Sequence, residues 1–160
     1  MNRSNKVVIV SHCILNQNSV VNPLARAKGA FDIIQPILDR GIGIIQLPCP
    51  EFKFLGLTRK PMTIEEYDCH DYRRLCRTLA EPVVKDLLEY KANDYEIVGL
   101  IGIHHSPTCG ITGGRGIFMD EFIKLLIKED ININRFEIPA CDLDDKWGEL
   151  KEELVKTFNI

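Results

Sequence analysis

Six cysteines, at positions 13, 49, 69, 76, 109 and 141, are the residues of this chain best suited to chemistry. A thiolate is a nucleophile, and it is also a soft ligand that selects iron–sulfur clusters, zinc or Cu(I). Three of the six share a context. Val10-Ser11-His12-Cys13, Leu47-Pro48-Cys49 and Ser106-Pro107-Thr108-Cys109-Gly110 each lie just past the carboxyl end of a short apolar run. If those runs are neighbouring parallel strands, about 4.8 Å apart, the loops at their ends can surround a body about 10 Å across, the order of size of a cubane iron–sulfur cluster. Proline beside Cys49, and proline with glycine beside Cys109, stiffen the backbone as ligand positions require. Spacing alone leaves two readings open: a metal centre with an incomplete set of protein ligands, or plain burial of thiols at sheet ends.

The other cysteines follow different patterns. Cys69 and Cys76 sit on a stripe with Tyr72, Leu75, Leu79, Val83 and Leu87, so both are expected to be core residues of a helix. Cys141 follows the last apolar run, in Pro139-Ala140-Cys141-Asp142, and a fourth thiolate from it would close the ligand set. That run adds an edge strand away from the centre of the sheet, so three ligands and an open position are expected. No C-x-x-C pair suggests a zinc ribbon or a thioredoxin-like redox site.

Around these positions lie further candidates. Glu51, two residues past Cys49, would stand at the mouth of the site as a general base or acid, or else be a solvated carboxylate. Ser106 precedes a proline, where it can cap a turn or orient substrate or water. His104 and His105 end the third apolar run, so period-two alternation allows at most one of them to face a pocket. His12 reads as a buried, hydrogen-bonded histidine. Asn16 and Asn18 offer donors and acceptors to a base edge, or simply make a turn. Arg59 and Arg115 are expected on the solvated surface.

These residues must be positioned by the elements between them. Val7–Val10, Ile42–Leu47, Ile97–Ile103 and Phe136–Ile138 are nearly continuous apolar runs, as in strands covered on both faces. Amphipathic stretches over about 27–40, 64–91, 117–129 and 144–157 alternate with them. The order βαβαβαβα predicts an α/β fold: a single Rossmann-like domain over 1–160, with an open parallel sheet of about four strands and helices on both faces. Thr63-Ile64-Glu65-Glu66 is a capping box opening the second helix. Pro82 predicts a kink or two successive helices, Gly41 suits the left-handed residue ending the first helix, and Gly113-Gly114-Arg115-Gly116 reads as a loop.

Composition limits the function. The chain has 160 residues, 45% hydrophobic, with 20 Lys+Arg against 23 Asp+Glu and a net charge of −3. Without a basic stripe, a nucleic-acid polymer is excluded as the main partner, while a free base or nucleoside is not. Neither a signal peptide nor a membrane span is expected, which points to a cytoplasmic monomer or dimer with reduced thiols. The turn after the first strand, His12-Cys13-Ile14-Leu15-Asn16-Gln17-Asn18, contains no glycine, so a dinucleotide pyrophosphate is disfavoured, and no Walker A motif occurs. A cysteine hydrolase or phosphatase is also disfavoured, because the first arginine after Cys13 is Arg26, beyond the turn.

Ser11-His12-Cys13-Ile14-Leu15-Asn16, Cys49-Pro50-Glu51 with Leu55-Gly56-Leu57, and Ser106-Pro107-Thr108-Cys109-Gly110 together resemble the signature segments of the thiouracil desulfidase family. The resemblance spans roughly residues 7 to 116. It implies that Cys13, Cys49 and Cys109 bind a [4Fe–4S] cluster by three irons, leaving the fourth to take sulfur from a thiolated pyrimidine. The cluster motif matches better than the substrate motif. Where the family has Gly-Gly-Leu-Pro-Thr-Pro-Arg after Cys-Pro-Glu, this chain reads Phe54-Leu55-Gly56-Leu57-Thr58-Arg59-Lys60-Pro61. A related subfamily is therefore expected, a non-redox desulfidase acting on a small thiolated base or nucleoside. Glu51 and Ser106 are its candidate catalytic residues, and Asn16, His104 and His105 its candidate substrate contacts. The alternative is a non-enzymatic module whose cysteines hold zinc or a closed cluster for sulfide storage, sensing or partner binding.

Overall fold

A computed structural model describes residues 2–141, 143 and 145–160. Four strands, β1 (Lys6–Val10), β2 (Gly43–Gln46), β3 (Glu96–Ile103) and β4 (Arg135–Ile138), form one parallel sheet in the order β2-β1-β3-β4. Val7, Val8, Ile9 and Val10 are all buried although their side chains alternate between faces, so both faces of the sheet are covered. The α/β class and the open four-stranded parallel sheet follow the sequence reading closely. The chain leaves β1 for β2 on one side and then crosses to β3 on the other. Strand order therefore reverses between β1 and β3, and the carboxyl ends of those two strands flank the crevice where open α/β sheets bind ligands.

The helices are α1 (His12–Leu15), α2 (Gln35–Asp39), α3 (Pro50–Leu55), α4 (Ile64–Tyr67), α5 (His70–Ala92), α6 (Ile117–Lys128) and α7 (Trp147–Phe158). Three expectations need correction. The stretch 27–40 holds only a 3-10 turn, Asp32–Ile34, followed by α2, because Pro36 fits the first turn of a helix but has no N–H for the Asp32 carbonyl, which takes a 3-10 bond from Gln35 N–H instead. The helix expected over 64–91 is broken at Asp68 and Cys69 rather than at Pro82. Asp68 leaves the helical region and takes up the Arg73 guanidinium, while α5 runs unbroken through Pro82, with Ala80 and Val84 buried on either side. Cys69 consequently precedes the helix and is exposed; Cys76 alone is buried on the stripe. The Thr63 and Glu66 capping box is present, and Gly41 is left-handed at φ +64°. The last helix starts at Trp147, and position 144 of its expected range lies outside the described residues. No helix among the described residues is long and apolar enough to cross a membrane.

Candidate metal centre and active site

A cavity of about 700 Å³ opens at the carboxyl ends of the strands, and Cys13, Cys49 and Cys109 all line it. Cys13 lies in α1, directly after β1; Cys49 immediately precedes α3; Cys109 sits in the loop leaving β3. That loop is held from within. The Ser106 hydroxyl accepts from the backbone N–H of Cys109 (3.0 Å) and of Thr108 (3.3 Å), and the Cys109 carbonyl accepts from Ile103 N–H (3.1 Å). Gly116 closes against the same segment, where a Cβ would come within 2.4 Å of the Thr108 carbonyl carbon, so only glycine allows this approach.

The three thiols lie close enough to act on one another electrostatically. Burial pushes Cys13 up to about 12, with Cys49 and Glu51 adding to the rise and Arg26 opposing it. Burial raises Cys49, against the pull of the Phe52 amide. Cys109 is raised well above the ordinary thiol value, by burial and then by Cys13 and Cys49, and a hydrogen bond from the Ser11 hydroxyl offsets part of this. Ser11 Oγ is wholly buried and has no partner other than the Cys109 thiol beside it. Three soft donors, one of them with a hydroxyl to stabilise its thiolate, fit a cationic group bound through sulfur, which would take the thiolates and release their protons. Among the described residues no three His, Cys, Asp or Glu side chains close around a single-ion position.

Glu51 stands beside this set and is largely buried, its side chain 13% exposed. Its Oε1 accepts from Thr108 Oγ1 (2.7 Å) and its Oε2 from Arg59 Nε (3.2 Å). Thr108 Oγ1 is also 2.8 Å from the buried Tyr72 hydroxyl, which must donate to it if Thr108 donates to the carboxylate. Arg59 is not on the solvated surface as expected. It is buried, and it bonds the carbonyls of Ser19 (2.7 Å) and Gly56 (3.0 Å) as well as Glu51, so its charge is matched and its position fixed. Tyr67 OH is buried without a completed hydrogen bond and faces Glu51 and Arg59; burial raises it, and Glu51 adds to the rise.

The remaining candidates fall into two sets. Ser106, His104 and His105 line the cavity. Both histidines do so, against the expectation of one, because β3 ends at Ile103 and His105 turns left-handed at φ +59°, bringing the two rings to 3.9 Å between centroids. Asn16 does not line it. Its Oδ1 accepts from Asn18 N–H to start a 3-10 turn, and the adjacent Gln17 reaches the cavity instead. His12 is half-buried, its Nδ1 3.2 Å from the Leu47 carbonyl, and Arg115 lies at the surface 3.9 Å from Asp120. Cys141 is exposed yet borders the cavity.

Sequence reading missed Arg26, Gln17, Thr108, Tyr72 and Glu137. Arg26 bonds the Pro139 carbonyl, lies over the Phe31 ring and faces Cys13 and Cys141. Thr108, beside Cys109, and Gln17, four residues past Cys13 and bonded to its carbonyl, carried a local signal; the others depend on partners far along the chain.

Residues 5–138 match the family model described as putative 2-thiouracil desulfurase. An uncharacterized protein of Methanocaldococcus jannaschii is 47% identical over 156 residues, covering 96% of this chain and 99% of the relative. No solved structure matches the chain.

Proposed function

Because the chain belongs to the 2-thiouracil desulfurase family, we propose that it is a non-redox desulfidase that removes sulfur from a small thiolated base or nucleoside at a [4Fe–4S] cluster held by Cys13, Cys49 and Cys109. The observation that carries this reading is the convergence of three thiols, Cys109 buried and Cys13 and Cys49 half-buried, and one anchored carboxylate on a single cavity. When bound, a cluster with three protein ligands supplies an open iron that can polarise a C–S bond as a Lewis acid.

The protein groups do the rest. Thr108 and Arg59 each donate to a different oxygen of Glu51, which presents the carboxylate as a proton acceptor. In that state it takes a proton from a water attacking the carbon that bears sulfur. Ser106 accepts from two amides and keeps its own hydrogen to orient substrate or water. Val21, Leu24 and Met62 form an apolar wall suited to the face of a heterocycle. The volume of about 700 Å³ lies within the range of small-molecule sites.

The position of Cys141 at the cavity's edge supports a second reading, a closed four-thiolate cluster without substrate chemistry. Sulfide release from thiopyrimidine bases, nucleosides and nucleotides, measured with the anaerobic iron-loaded protein, separates the two. Release from at least one compound is expected. Inactivity on all of them, together with loss of iron in Cys141→Ser, would favour the closed site.

A further inference from the structure

His104, which lines the same cavity, is bonded to a carboxylate behind it, and the pair forms a second proton-handling group. Glu137, in β4, accepts four hydrogen bonds: from Ile111 N–H and Thr112 N–H on Oε1, and from Thr112 Oγ1 and His104 Nδ1 (3.1 Å) on Oε2. Burial alone would raise this carboxyl, but the bonds from Thr112, the Ile111 amide and His104 outweigh it and hold the group below the usual carboxylate range. An ionised carboxylate only accepts, so the proton between the two side chains sits on His104 Nδ1. The other nitrogen, Nε2, is then the one free to exchange a proton. The His104 ring is half-buried and lines the cavity, with its Cε1–Nε2 edge toward Gly113. Gly113 is left-handed at φ +64°, the conformation that favours glycine, and even a Cβ there would make only ordinary contact with that edge, at 3.4 Å from Cε1. The neighbouring His105 is held in a left-handed conformation that a non-glycine residue adopts only at a cost, and such strain concentrates at functional sites.

We infer that His104, oriented by Glu137, is the general acid that protonates the departing sulfur, the partner of Glu51 in the same reaction. The inference rests on the desulfidase reading. The step balances without any oxidant. The C–O bond forms as Glu51 takes a proton from water; His104, entering the step as the imidazolium with Nδ1–H held by Glu137, gives its Nε2 proton to sulfur; the C–S bond breaks and hydrosulfide leaves. The hydroxyl proton of the oxygenated product then returns to His104, and Glu51 releases its proton to solvent, for a net change of C=S and water to C=O, hydrosulfide and a proton. His104 is the catalytic residue of this pair and Glu137 the positioning residue. Among the described residues, the other charged or titratable groups bordering the cavity are Arg26, Glu51, Arg59, His105 and the four cysteines.

Two measurements on the iron-loaded protein test the pair. Long-range ¹⁵N–¹H correlation spectra should show the neutral His104 ring protonated on Nδ1, with the Nε2-protonated form growing in Glu137→Gln; an Nε2-protonated ring in the wild type would overturn the assignment. Sulfide release by His104→Asn, which keeps a donor near Glu137 but lacks Nε2, should fall at least about 10²-fold and lose the alkaline limb of its pH profile. A wild-type rate and profile in His104→Asn, beside an active parent, would refute this inference alone. An inactive parent would instead refute the desulfidase reading.

Discussion

Cysteines occupy two regions of this molecule, the loops at the carboxyl end of the sheet and the helix α5, and the contrast separates a site from a core. Cys76 in α5 and Cys13 in α1 are both pushed up to about 12, chiefly by burial. A perturbed thiol is therefore no mark of function here. What differs is the company. Around Cys76 the next influences are Glu121 and Arg73, which belong to an ion-pair cluster between α5 and α6. Around Cys13 and Cys109 they include other thiols, and near Cys109 a hydroxyl with nothing else to bond. Burying three thiols together gains little over three apolar residues, so it is convergence that argues for a bound group.

The largest expected effect breaks that contrast directly. Cys13→Ser, Cys49→Ser and Cys109→Ser should each lose the bound iron and its visible absorption, whereas Cys69→Ala, Cys76→Ala and Cys141→Ser should keep them. Cys76→Ala should cost only about 1–2 kcal/mol in urea unfolding, as expected for a small core truncation. Next comes Glu51→Gln, which retains the side chain's shape but not its basicity. Iron content should be unchanged and sulfide release should fall about 10²–10⁴-fold, the usual cost of losing general-base help. A normal turnover would remove Glu51 from the chemistry.

Smaller still is Thr108→Val, nearly isosteric, which deletes one donor to Glu51 and the acceptor for Tyr72. A hydrogen bond to a charged group contributes about 1.5–3 kcal/mol, so a decrease of about 10–100-fold in turnover is expected, with iron content preserved. Thr108→Ser should recover most of it. The mildest test needs no mutation. In the metal-free protein the thiols at 13, 49 and 109 are raised above the ordinary cysteine value, so the folded chain keeps protons that the unfolded chain gives up. Its stability should be full below pH 9 and decline from there toward about 12, as Cys13 ionises. The iron-loaded protein, whose ligands are already thiolates, should show a weaker decline by the same thermal-melting assay.

Much of this frame was legible in the sequence because it is encoded locally. Four apolar runs announced four strands, the Thr63 and Glu66 spacing announced a helix start, and the three strand-end cysteines announced a meeting place. What escaped depends on distance. Arg59 looked like a surface cation until the turn at Gly56 folded it back onto Glu51 and the Ser19 carbonyl, 40 residues away. Arg26 meets Pro139 across 113 residues, and His104 meets Glu137 across 33. The first helix was misjudged for a local reason, since an amphipathic count cannot see that Pro36 lacks the N–H an α-helical bond to Asp32 needs.

The central claim is that the three strand-end thiols hold a cubane cluster, and metal and sulfide analysis of the anaerobically reconstituted protein tests it most directly. About four irons and four acid-labile sulfides per chain are expected, in a brown protein. A colourless protein carrying one zinc per chain, and no sulfide, would contradict it.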